Sequence, residues 1–185
     1  VNHSVIIDDI VEHSTFSSNV EQIKWSPEPP LNLAIGFIYP EDKGKPPEER
    51  LPLRTFFVEA NQPLQIYMLL DTVSPRKVLV TAIVDYKQQP FTLDGKSGLL
   101  HEFMVNPGGD YEIPIEISLP TTGWHDLMLI AFYDHENNTV DVQDRMTIDQ
   151  KFIGVRGVVL VGDKNAPPPK PSFVVSNSTM PDDVS

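Results

Sequence analysis

The chain has no cysteine, so a disulfide framework, a thiolate nucleophile and cysteine-bound zinc are all excluded. From Ser97 to Asp144 it also has no lysine or arginine, while Glu102, Asp110, Glu112, Glu116, Asp126, Asp134, Glu136, Asp141 and Asp144 all fall there. A formal net charge of −12 placed so unevenly repels phosphate, which argues against nucleic acid as a partner and against direct binding to an anionic membrane. The plain role for such a surface is solvation; the sharper one is to meet divalent cations or basic partners. No apolar run approaches the roughly 20 residues of a membrane helix, and no signal peptide is visible. Also missing are a Gly-x-Ser-x-Gly elbow, a His-Glu-x-x-His helix, a phosphate loop and a dinucleotide fingerprint. The expectation is a protein that is not an enzyme and carries no cofactor.

What is present is proline: eighteen in 185 residues, about twice the usual share of roughly 5%. The prolines cluster, which favours turns and linkers over long helices. The 40% apolar fraction suffices for a core, and a chain of this length buries roughly 70% of its unfolded surface. The first residue is Val rather than Met, so the chain is expected to be a piece of a larger exported protein. The triplets Asn2-His3-Ser4, Asn137-Asn138-Thr139 and Asn177-Ser178-Thr179 fit an extracellular or cell-surface location.

Between the prolines the apolar period is two. "YEIPIEISL" places Tyr111, Ile113, Ile115, Ile117 and Leu119 on one face and Glu112, Pro114, Glu116 and Ser118 on the other. That is a half-buried strand, and Pro114, which lacks an N–H, assigns it to an edge or a bulge. "PLQIYMLLD" puts Leu64, Ile66, Met68 and Leu70 on one face, and the apolar run "KVLVTAIVDY" reads as a central strand buried on both sides. "NLAIGFIY", "RTFFVEA", "LLHEFMV", "WHDLMLIAFYD", "DRMTIDQ" and "FIGVRGVVLVG" bring the expectation to about nine strands. Turn signals such as Asn61-Gln62-Pro63, Asp94-Gly95 and Pro107-Gly108-Gly109 separate them. Strands without intervening helices make a sandwich or barrel. The boundaries expected are an N-terminal segment over 1–30, contributing an added edge strand or packing irregularly; an all-β antiparallel sandwich over 31–163; and a Pro-rich linker or tail over 164–185.

Residues 113–144, "IPIEISLPTTGWHDLMLIAFYDHENNTVDVQD", resemble the closing strands of bacterial immunoglobulin-like surface modules, especially the CARDB adhesion type. The matching features are the corner from Pro120 to Gly123, Trp124, the strand ending at Asp134 and the turn Asn137-Asn138-Thr139-Val140. The doubled Asn-Glu ending of that family is missing. The resemblance implies an immunoglobulin-like fold in a membrane-anchored bacterial parent protein, and no activity.

The stretch richest in ionisable groups follows the strand that starts near Trp124. Asp134, Glu136 and Asn138 have the one-three-five oxygen spacing of a calcium loop, with Asp141 close by. No glycine lies between Gly123 and Gly154 to let that loop fold back, so a hairpin turn with acidic flanks is the favoured reading. For zinc, His125 and His135 sit roughly 33 Å apart along one strand, and His101 approaches His125 only if their strands pair; surface histidines are expected. Glu112 and Glu116, about 13 Å apart along a strand, are too far apart for glycoside hydrolysis and are expected to face solvent. Tyr67 and Tyr86 fall on outer phases, and Trp25 and Tyr39 flank proline clusters. Exposed aromatics stack on sugar rings or anchor a partner. The loop Glu41–Arg50 is the most interaction-prone element by composition. The expected role is therefore a non-catalytic spacer, adhesion or interaction module whose partner is another protein or a surface polymer. The alternative is a carbohydrate-binding or carbohydrate-active domain that uses exposed aromatics and carboxylates.

Overall fold

The computed structural model describes residues 10–23, 33–52, 55–133 and 152–169. Two sheets pack face to face. The first contains β1 (Ile10–His13), β10 (Leu100–Val105), β6 (Arg76–Val84), β12 (Gly123–Tyr133), β13 (Phe152–Val161) and β4 (Phe56–Val58) in that order, with β7 (Lys87–Gln89) also on β6. The second runs β3 (Leu33–Ile38), β5 (Leu64–Thr72), β11 (Asp110–Ile117), β8 (Phe91–Leu93) and β9 (Lys96–Gly98), with β2 (Glu21–Ile23) also on β11. Pairing is antiparallel except where β1 meets β10 and β4 meets β13. This is an all-β, immunoglobulin-like sandwich.

The core lies between the sheets and follows the two-residue period. Met68, Leu70, Leu93, Ile113 and Ile117 come from one sheet, and Val78, Val80, Leu127, Leu129 and Ala131 from the other, all with 0% exposure. Each side chain alternates in from its strand, so burial of roughly 1.5–3 kcal/mol per large aliphatic fixes the register. The packing is close where β13 crosses β3: a Cβ on Gly157 would sit 2.9 Å from Phe56 and 3.2 Å from Phe37. The expected strands of the described residues are all present. The unanticipated ones, β2, β7, β8 and β9, have three residues each, too few to display a period. The expected strand "DRMTIDQ" lies outside the described residues.

Two expectations need correction here. Pro114 is neither at an edge nor at a bulge, because β11 pairs with β5 from Tyr111 to Ile117. Its other edge is shared by β2, at Asp110 to Glu112, and β8, at Ile115 and Glu116. An extended residue points its N–H and C=O to the same side, and the Pro114 carbonyl accepts the Asp94 N–H at 3.0 Å. The missing N–H therefore falls in the gap between two short partners, where no ladder bond is lost. The strand β6 is central, as expected, but its outer face is less deeply buried than its inner one: Thr81 there is buried, while Leu79 and Ile83 are half-buried.

Candidate functional site

The cleft that best combines shape with polar groups lies on the outer face of the second sheet. Register sets Tyr67 beside Pro114 and Gln65 beside Glu116, with Thr92 next to Glu116 on β8. Because Ile66, Ile115 and Leu93 alternate inward, these five side chains face out together as a floor. Pro40, beyond β3, and Ser17, Asn19 and the Asp94-Gly95 turn complete a cleft of about 460 Å³. The turn has φ of 47° and 79°, the two-residue hairpin geometry that Asp-Gly favours. Asp94 holds the wall in place: its carboxylate accepts the Ser17 N–H at 2.6 Å and the Ser17 hydroxyl. Gln65 Nε2 donates to Glu116 Oε2 at 3.1 Å, and Lys43 Nζ stands 5.4 Å from the centre of the Tyr67 ring. A second cleft of about 470 Å³, reaching Phe57, shares Pro40, Gln65 and Ile66 with the first, so the two adjoin. Of the aromatics singled out in the sequence, Tyr67 lines this cleft.

The other aromatics are placed differently. Tyr39 is buried in the core, its ring centre 4.8 Å from that of Phe56. Tyr86 is 81% exposed, but it is the second residue of the β6–β7 turn, at φ 64°, rather than part of a strand. Trp25 lies outside the described residues. Trp124 donates its ring N–H to the Pro167 carbonyl at 2.8 Å, which brings the start of the proline-rich segment back onto β12.

The loop Glu41–Arg50 folds onto β11 and overturns the expectation that Glu112 faces solvent. Glu112 has 0% exposure; its carboxylate accepts the Gly44 N–H at 2.8 Å and pairs with Arg50 at 3.1 Å. Burial pushes its carboxyl above the ordinary range, against the opposing pull of Gly44 and Arg50. Asp42, 1% exposed, ties the loop to itself by accepting from Lys45 at 2.7 Å and from the Leu51 N–H at 3.0 Å. Alternation in β11 does point Glu112 outward. What the strand pattern cannot report is that a distant loop covers that position. Glu116, by contrast, remains partly exposed in the cleft.

The three histidines among the described residues are also not surface residues: His101 is 0%, His125 5% and His13 6% exposed. His101 and His125 stay apart because β10 and β12 flank opposite edges of β6. His101 Nε2 donates to the Phe91 carbonyl at 3.0 Å, which leaves its Nδ1 to accept from His13 Nε2 at 2.9 Å. Burial, reinforced by its neighbour His101, lowers the pKa of His13 to about 4, and burial lowers that of His101 as well. His125 Nδ1 meets the Asp85 carboxylate at 2.7 Å and its Nε2 donates to the Thr121 carbonyl at 2.8 Å. These contacts brace turns and strand ends. Among the described residues no cluster of three or more His, Asp or Glu is arranged to hold a metal. The calcium-spaced Asp134, Glu136, Asn138 and Asp141, and His135 with them, lie outside the described residues.

The outer face of the first sheet is more apolar than that of the second. Leu79, Phe132 and Phe152 form one cross-strand row, with Ile83 and Met128 in a second. Phe152 is 60% exposed.

No family model matches the chain and no curated protein does. Among solved structures, it is similar to WR4, a Caenorhabditis elegans MSP family member, at 6% identity and a TM-score of 0.31, covering 57% of this chain and 92% of that one. It is also similar to the Salmonella enterica SafA pilin in complex with the SafB chaperone, at 11% identity and a TM-score of 0.36, covering 85% and 59%. A third is AvmM, which catalyzes macrocyclization in alchivemycin A biosynthesis, at 9% identity and a TM-score of 0.35, covering 77% and 92%. Likeness of this degree says nothing about the chain's role.

Proposed function

We propose that the chain is a non-catalytic interaction module of an exported, membrane-anchored bacterial surface protein, with a role in spacing, adhesion or assembly. Its partner is another protein or a surface polymer. The observation that carries this reading is the division of labour among the ionisable groups. Glu112, Asp42, His101 and His125 are buried in structural contacts, and in the cleft Asp94 is engaged by Ser17. The carboxylate–hydroxyl contact in the cleft, Asp94 with Ser17, braces the wall through the Ser17 N–H as well, whereas a rigid sheet presents Tyr67, Gln65, Glu116 and Thr92 outward as a binding surface. The same proposal takes in the likeness of residues 113–144 to CARDB-type adhesion modules.

The test is co-sedimentation of the purified chain with bacterial cell-envelope material. Saturable retention is expected, with no soluble product accumulating over time. Steady release of sugars or peptides in excess of the protein added would make the chain an enzyme and sink the proposal.

A further inference from the structure

The geometry points to a ligand class: the cleft floored by Tyr67, Pro114, Gln65, Glu116 and Thr92 binds a neutral glycan chain. This deepens, and rests on, the interaction-module reading. The floor has two chemically distinct halves laid side by side by strand register. Tyr67, with the Lys43 ammonium 5.4 Å from its ring centre, and Pro114 form the platform of lower polarity, and Gln65, Glu116 and Thr92 a polar strip. A pyranose has the same division. Its C–H face stacks on an aromatic ring, while its hydroxyls run around the edge and both donate and accept.

The polar strip is already ordered. Gln65 donates to one Glu116 oxygen, which leaves the other carboxylate oxygen and the Gln65 carbonyl as acceptors for hydroxyls. Thr92 and the Asn19 amide add groups that can donate as well as accept. Such a preset pair loses little side-chain entropy on binding.

Other ligand classes fit less well. An extended peptide recognised by strand addition needs an unpaired edge of some length, but at the cleft β11 lies between β5 and β8, β8 lies between β11 and β9, and the stretch of β5 that lacks a second partner strand among the described residues, Leu64–Ile66, is three residues long. An anionic polymer would meet the carboxylates of Glu116 and Asp94 on a chain of net charge −12. A purely apolar ligand would strip water from Gln65 and Glu116 without replacing their hydrogen bonds. The size suits a chain rather than a single sugar, because the cleft continues over Gln65 and Pro40 into the adjoining one that reaches Phe57.

Affinity electrophoresis tests the assignment, using gels cast with a mixed-linkage glucan, a galactomannan, a neutral xylan or, as the anionic control, alginate. At least one neutral polymer is expected to retard the wild-type chain, and alginate is not. Tyr67→Ala should weaken that retardation about tenfold, which equals about 1.4 kcal/mol. Gln65 is exposed, so Gln65→Ala should weaken it severalfold with an unchanged urea midpoint. That variant keeps the test decisive if Tyr67→Ala unfolds. Retardation by no neutral polymer, or by alginate alone, overturns the glycan assignment. Retardation untouched by either substitution overturns the cleft as the site while leaving the interaction module standing. Loss of binding together with cleavage of the polymer in the gel would overturn the module reading itself.

Discussion

At the scale of single residues, the buried histidine pair makes stability depend on pH. Both rings are neutral in the folded chain, since a carbonyl takes the His101 proton and His101 takes that of His13. His13 Nδ1 is left buried without a hydrogen-bond partner, so a proton there gains no hydrogen bond, and the nearby Asp94 charge offsets only part of the cost of burial. A histidine whose folded pKa is depressed stabilises fully above its unfolded pKa, roughly 6.5, and loses that contribution as pH falls toward about 4. Unfolding free energy should therefore fall by about 3 kcal/mol between those limits on account of His13, and His101 acts in the same direction. His13→Gln keeps an N–H donor near His101 but does not titrate. Urea melts at a series of pH values should give a flatter profile for this variant than for the wild type; parallel profiles would mean that the pair does not titrate as described.

At the scale of elements, the loop Glu41–Arg50 behaves as a clasp on β11. Its residues are the polar, proline-rich kind that usually marks a surface loop, and it opens and closes with short 3-10 turns at Pro40–Asp42 and Pro47–Glu49. The anchor is the carboxylate of Glu112, with Arg50 also 3.7 Å from Asp110. Removing one partner of a buried pair strands the other, typically at a cost of about 3–5 kcal/mol, whereas the intact pair contributes far less. Arg50→Met should thus destabilise the chain by about 3 kcal/mol at neutral pH. The loss should shrink in mild acid, because the Glu112 carboxyl, already raised by burial, takes up a proton once its cation is gone. Chemical unfolding at pH 7 and pH 5 checks both statements; an equal loss at the two values would rule out Glu112 as the stranded charge. Strand alternation in β5 and β11 was legible in the sequence because one face of each strand is apolar and the other is not. The clasp was not, since the contact from Arg50 to Glu112 spans 62 positions and leaves no periodic trace.

At the scale of the whole molecule, the segment after β13 joins elements that are distant in the chain. Pro167 accepts from Trp124, and Lys164 Nζ lies 4.4 Å from the centre of the Phe57 ring. One neutral hydrogen bond and one exposed cation–aromatic contact are together worth about 1–2 kcal/mol. Truncation after Asp163 should lower the melting temperature by roughly 2–6 °C and shift tryptophan emission to longer wavelength as Trp124 gains solvent. A drop several times larger would show that the segment completes the sandwich rather than resting on it. Composition and period together determined the all-β class, the inward faces of the main strands and the Asp94-Gly95 hairpin, because each depends on neighbours within a few positions. Tertiary structure alone decided that Glu112 is buried, that His13 meets His101 across 88 positions, and that Pro114 sits harmlessly between two partner strands. It also decided which outward residues share a cleft, since Tyr67, Gln65, Glu116 and Thr92 become neighbours only when β5, β11 and β8 pair. Pairing register is set by burial of the opposite faces. The site is thus a consequence of the core, and no short stretch of sequence contains it.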